Sequence, residues 1–148
     1  MKTLRFALVL FALVTGLVQA QASGRASIRV ILITTATDSG VTDGQLQEFQ
    51  AALQQSLRAQ AFHFVGDKSV VLGIPATTEL ALGAGHVAVV STDANDGKIV
   101  KIKLRWMADG RPVMNTPLAL RAGLPAVING PFTNKKRGET YALIVIGS

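Results

Sequence analysis

The chain contains no cysteine. That one absence removes disulfides, zinc ribbons, iron–sulfur ligation and thiol nucleophiles together. No lipid can be attached through a cysteine side chain either. Whatever fold forms must be held by packing alone, so a sizeable apolar core is implied. Histidine is nearly absent, with only His63 and His86. A two-histidine metal site needs both rings and a carboxylate close in space, and each of these sits alone in a segment of strand character. No G-x-S-x-G elbow supports a serine nucleophile. Gly83-Ala84-Gly85 lacks the following helix of a phosphate loop, and Gly40 and Gly44 lack its Lys-Ser/Thr. Asp93, Asn95 and Asp96 lack the spacing and distal Glu of a calcium loop, and read as a turn. No catalytic residue, metal or cofactor is therefore expected.

What the chain does have begins at its start. Lys2 and Arg5 give a positive opening, and residues 6–18 (FALVLFALVTGLV) are apolar without a charge. Ala20-Gln21-Ala22 then offers small residues at a processing site. That order is the pattern of a secretory signal peptide over residues 1–22, with cleavage after Ala22 or Ala20. The apolar run has 13 residues, short of the roughly twenty that cross a bilayer. The expectation is an exported product, periplasmic or extracellular, with no transmembrane segment after processing. Residues 23–148 then form one domain of ordinary size.

Charge is mild once the leader is set aside. Fifteen Lys and Arg face nine Asp and Glu, a net +6. Without Lys2 and Arg5 the balance is 13 to 9, or +4. A specific nucleic-acid partner is not indicated, because such proteins concentrate basic residues far more strongly.

Periodicity assigns the elements. Residues 27–35 (SIRVILITT) form a β-branched run that reads as a buried strand. Residues 36–44 read as a loop. Thr42 with Gln45 has capping-box spacing, and Asp43 is an alternative N-cap. Leu46, Phe49, Leu53 and Leu57 recur at steps of three and four, the stripe of an amphipathic helix. From residue 61 the period becomes two. Gly66-Asp67-Lys68, Gly83-Ala84-Gly85, residues 93–97 and Asp109-Gly110 read as turns between short strands. Residues 98–107 alternate cleanly: Val100, Ile102, Leu104 and Trp106 point one way, Lys101, Lys103 and Arg105 the other. Pro112 and Pro117 suggest an edge strand over residues 111–120. Residues 130–138 read as a loop, and residues 139–146 as a central closing strand. The fold class is α+β: one N-terminal helix packed on a mainly antiparallel β-meander, forming a small sandwich or partial barrel.

From Leu53 onward the chain resembles an uncharacterised family of small exported bacterial β-rich proteins. The pattern comprises residues 57–64 (LRAQAFHF), the amphipathic strand 98–106, Asn115-Thr116, Gly123, Gly130-Pro131 and the apolar residues 143–146. Its last part is also similar to the glycine-punctuated strands of secretin-type outer-membrane proteins. The resemblance implies export and an envelope role, and implies no catalytic residue.

Three features are candidate binding elements. Lys135-Lys136-Arg137 is a basic triplet in an expected loop, suited to lipid phosphates or an acidic partner. Lys101, Lys103 and Arg105 form a row of like charge on one strand face. Phe132, beside Pro131, is either an exposed anchor or an aromatic folded back onto the core. Export, a core held by packing alone, potential edge strands and the lack of a catalytic constellation point to a non-enzymatic envelope protein acting through protein–protein contact, as an accessory or structural module of a secretion, pilus or surface assembly. An open strand edge is one route to such contact. A binding module for an anionic polymer or lipid surface is the alternative, and a hydrolase ranks third.

Overall fold

A computed structural model describes residues 24–37 and 40–148. The leader and its cleavage positions lie outside the described residues. The β-branched run forms strand β1 (Arg25–Ala36). Its even positions Ala26, Ile28, Val30 and Leu32 are fully buried on one face, and Ile31 and Ile33 on the other. A strand buried on both sides needs a near-continuous apolar sequence, which is what residues 28–33 supply.

The helical segment follows β1, so it is internal to the domain and not N-terminal as expected. It begins as a 3-10 segment (Gly44–Phe49) and continues as α1 (Gln50–Ser56). The apolar spacing matches this division. Leu46 to Phe49 is a step of three, the 3-10 repeat. Phe49 to Leu53 to Leu57 are steps of four, which keep one face of an α-helix. All four side chains are buried against Ile31, Ile33, Phe62, Ala142 and Ile144.

The expected side-chain cap does not form. Asp43 holds the N-cap position without capping. Its carboxylate instead accepts the Phe64 N–H at 2.8 Å and meets His63 Nδ1 at 3.3 Å. Those bonds pin the loop before the helix to β2 (Ala61–Gly73). They hold the Asp43 carboxyl below its ordinary range, the backbone bond contributing most.

The remaining strands are β3 (Ala76–Gly83), β4 (His86–Asn95), β5 (Ile99–Ala108), β6 (Arg111–Arg121), β7 (Ala126–Asn134) and β8 (Glu139–Gly147). They form two four-stranded antiparallel sheets, ordered β2-β1-β8-β7 and β3-β4-β5-β6. Only the second sheet is a simple meander. Both sheets are open, so the architecture is a β-sandwich and not a partial barrel. The main core lies between them, with Ile28, Val30, Leu32, Val90, Val100, Ile102, Leu104, Trp106, Leu143 and Val145 at its centre. The helix covers the outer face of the first sheet. Among the described residues no element covers the outer face of the second sheet.

Two glycines that read as turn or loop signals serve close approaches instead. Gly66 lies within β2, beside a one-residue bulge at Val65 where the register with β1 shifts. A Cβ at Gly66 would land on the Leu82 carbonyl oxygen of β3. Gly130 lies within β7, where a Cβ would overlap the Trp106 ring. The expected loop 130–138 is thus strand as far as Asn134, with register shifts around Pro131. The turns at Ala84-Gly85 and Asp109-Gly110 agree with the fold, whereas of the expected turn 93–97 only Asp96 and Gly97 lie outside β4, which runs to Asn95. Asp109 (φ 50°) and Gly110 (φ 74°) make a two-residue hairpin turn with positive φ at both central positions. In the β4–β5 turn, Asp96 Oδ1 accepts the N–H groups of Lys98 (2.8 Å) and Ile99 (2.7 Å), so its carboxylate caps the backbone.

The edge positions bear on partner binding. β6 and β7 each end a sheet, and they carry Pro112, Pro117 and Pro131. Proline donates no backbone hydrogen bond, so these edges are poor templates for an added strand.

Candidate functional site

The sequence-predicted residues fall on two surfaces at opposite sides of the sandwich. The first is the outer face of the second sheet. Along β5 the alternation puts Val100, Ile102, Leu104 and Trp106 into the core, at 0–1% exposure. Lys101, Lys103 and Arg105 are consequently exposed. Successive members stand about 7 Å apart, two strand residues. In the register of β5 with β6, Arg121 opposite Ile99 joins the same face. Glu79 on β3 also shares it, opposite Val89, which in turn pairs Arg105. Among the described residues no carboxylate lies within ion-pair distance of Lys101, Lys103 or Arg105. Lys101 contributes to holding Asp96 below the usual carboxylate range, behind the two backbone bonds already described. Beside the basic row lie half-buried Val87 and Val89 on β4, and Pro117 and Ala119 on β6.

The second surface lies on the helix side of the first sheet. A cleft of about 300 Å³ opens between the end of α1 and strands β7 and β8. Phe132 stands at its rim at 56% exposure. It therefore belongs to a bulged edge strand, not a loop, and is not folded back onto the core. Lys135, Lys136 and Arg137 occupy the β7–β8 turn beside the cleft, as expected, and all three are exposed. Arg137 Nη1 lies 3.9 Å from Glu139 Oε1. The basic triplet and the basic row are thus not brought together.

Sequence reasoning missed Arg58 and Asn129, which line this cleft, and Arg121 on the opposite face. Arg121 was available from the two-residue period of β6 once its pairing with β5 is fixed. Asn129 sits between an isoleucine and a glycine and carries no local signal.

Neither histidine joins these surfaces. His86 is buried, and its Nδ1 accepts the Trp106 Nε1–H at 2.9 Å. His63 pairs with Asp43. Among the described residues no group of three His, Asp or Glu side chains could hold a metal ion. No helix among them is long and apolar enough to cross a membrane. No family model, no curated protein and no solved structure matches this chain.

Proposed function

We propose that the protein is an exported, non-catalytic module of the cell envelope that works by contact, through the bare basic face of its second sheet. The observation that carries this reading is the row of Lys101, Lys103 and Arg105. Three like charges at about 7 Å spacing repel one another, and although Glu79 and Asp96 lie nearby, no described carboxylate comes within ion-pair distance of them. An acidic partner surface relieves that repulsion on binding. The flanking Val87, Val89, Pro117 and Ala119 add apolar area, so the face combines charge with burial, as protein interfaces do. At the proline-bearing edges β6 and β7, though not at the proline-free edges β2 and β3, contact through a face is favoured over strand addition. The leader pattern and the resemblance to small exported proteins support the envelope setting.

The partner in this reading is an acidic surface of another envelope protein. An anionic polymer or lipid surface is the second reading, supported by the regular spacing of the row. Ionic strength and competition separate them. The purified protein is used to recover partners from envelope extract at low and high salt, with and without a soluble polyanion. Recovery of a protein partner that survives treatment with nuclease and lipid extraction, and weakens as salt rises, agrees with the first reading. Binding lost on removing polymer or lipid supports the second. Recovery independent of salt contradicts both.

A further inference from the structure

The cleft beside Phe132 carries an inference independent of the reading above, and it comes from hydrogen-bond accounting. Asn129 Oδ1 accepts the Gly130 N–H at 3.1 Å and the Thr140 hydroxyl at 3.0 Å. Two donors on one oxygen fix the amide, since a flipped side chain would set its NH₂ against the Gly130 N–H. With the Thr140 hydrogen committed to Asn129, the Thr35 hydroxyl donates to Thr140 Oγ1 at 3.3 Å. Thr35 Oγ1 itself accepts the Thr140 N–H at 2.8 Å. Both threonines are at least nine-tenths buried, so the chain is fixed from within.

What this leaves facing the cleft is one-sided. The acceptors of the chain have donors, but Asn129 Nδ2, with two hydrogens, bonds to no described residue. The Arg58 guanidinium, with five, also bonds to none. The Ser56 hydroxyl turns either way and does not change the balance. Beside these donors stands the exposed ring of Phe132, and Lys135 and Lys136 add positive charge from the adjoining turn. The side chains at the cleft therefore offer hydrogen-bond donors, cations and an apolar surface.

We propose that this cleft binds a carboxylate borne next to an apolar group, supplied either by a small carboxylic acid or by the C-terminal residue of a peptide. The Arg58 fork suits the two oxygens of a carboxylate, Asn129 Nδ2 donates to one of them, and Phe132 covers the apolar part. A volume of about 300 Å³ is at the small end of ligand sites and suits one residue-sized group. Inorganic phosphate brings no apolar part for Phe132 to cover.

The test is an NMR titration of the isotopically labelled protein with 3-phenylpropionate, its neutral amide 3-phenylpropanamide, and inorganic phosphate. Binding of the acid and not the amide is expected, with shifts at the Asn129 side-chain amide, Phe132 and Thr140. Arg58→Gln removes an exposed charge, and Asn129→Asp keeps the internal acceptor while replacing the outward donor. Each should weaken the acid by about tenfold or more, roughly the loss of one charged contact, with the remaining spectrum unchanged. Lys103→Glu, on the opposite face, should leave it unaltered. A phenylalanine-terminated tripeptide with a free C-terminus, compared with its amidated form, identifies the source. Tighter binding of the free-terminus peptide than of the small acid assigns a chain end; equal or weaker binding assigns a small acid; either supports the site. Equal binding of acid and amide, response to phosphate alone, no binding, or unchanged affinity in Arg58→Gln overturns it.

Discussion

His86→Phe isolates a single buried hydrogen bond. Trp106 is wholly buried and His86 nearly so, at 4% exposure. The indole N–H donates to His86 Nδ1 at 2.9 Å, which requires a neutral imidazole with its proton on Nε2. Phenylalanine keeps a flat ring of similar size beside Tyr141, whose ring centroid lies 4.2 Å away, but removes the acceptor. The indole N–H is left buried and unpaired, a loss of about 1–3 kcal/mol. A second readout comes from pH. Burial holds the imidazole below its ordinary value of 6.5, against an opposing pull from Asp109. The unfolded chain thus takes up this proton more readily than the folded one. Stability from the neutral ring is fully present above pH 6.5 and is lost as the pH falls below it. Urea denaturation at pH 7.5 and at steps down to pH 5 measures both effects. Wild type should lose stability across that interval, and His86→Phe should start lower and lose less. A variant as stable as wild type at pH 7.5, with the same pH dependence, refutes the reasoning.

Two further substitutions test the packing. Leu53→Ala, fully buried between α1 and the first sheet, should destabilise by about 2–5 kcal/mol, whereas exposed Gln54→Ala should be nearly silent; denaturant titration of the pair decides. Gly66→Ala places a methyl on the Leu82 carbonyl and must push two strands apart, at a cost of about 1–3 kcal/mol; a thermal midpoint equal to wild type would contradict the close approach.

The sequence exposed those parts of the fold in which neighbouring residues meet different surroundings. Val100 to Trp106 alternate because one face of β5 is core and the other solvent, and a period of two survives in the letters. Leu46, Phe49, Leu53 and Leu57 mark the helical stripe for the same reason. The pairing of β1 with β8 was not legible. It joins residues more than a hundred positions apart, and both strands are buried on two faces, so no alternation betrays a neighbour. Gly66 and Gly130 misled because glycine marks a turn and a close approach with the same letter. The Thr42–Gln45 capping pattern did not form because Asp43 is engaged by β2, a tertiary contact that local spacing cannot reveal. The cleft was legible only at Phe132. Thr35, Arg58, Asn129 and Thr140 come from four separate segments, and each alone is unremarked.

In the proposed function the row on β5 binds an acidic partner. Reversing it tests this most directly, in the triple variant Lys101→Glu, Lys103→Glu, Arg105→Glu. The three side chains are exposed and make no described ion pair, so stability should change little; even exposed pairs contribute only about 0–1 kcal/mol each. Denaturant titration first establishes that the variant is folded. Co-purification from envelope extract at low salt then compares it with wild type. Selective loss of a protein partner by the folded triple variant is the result expected. Undiminished recovery of the same partner by that folded variant would contradict the account.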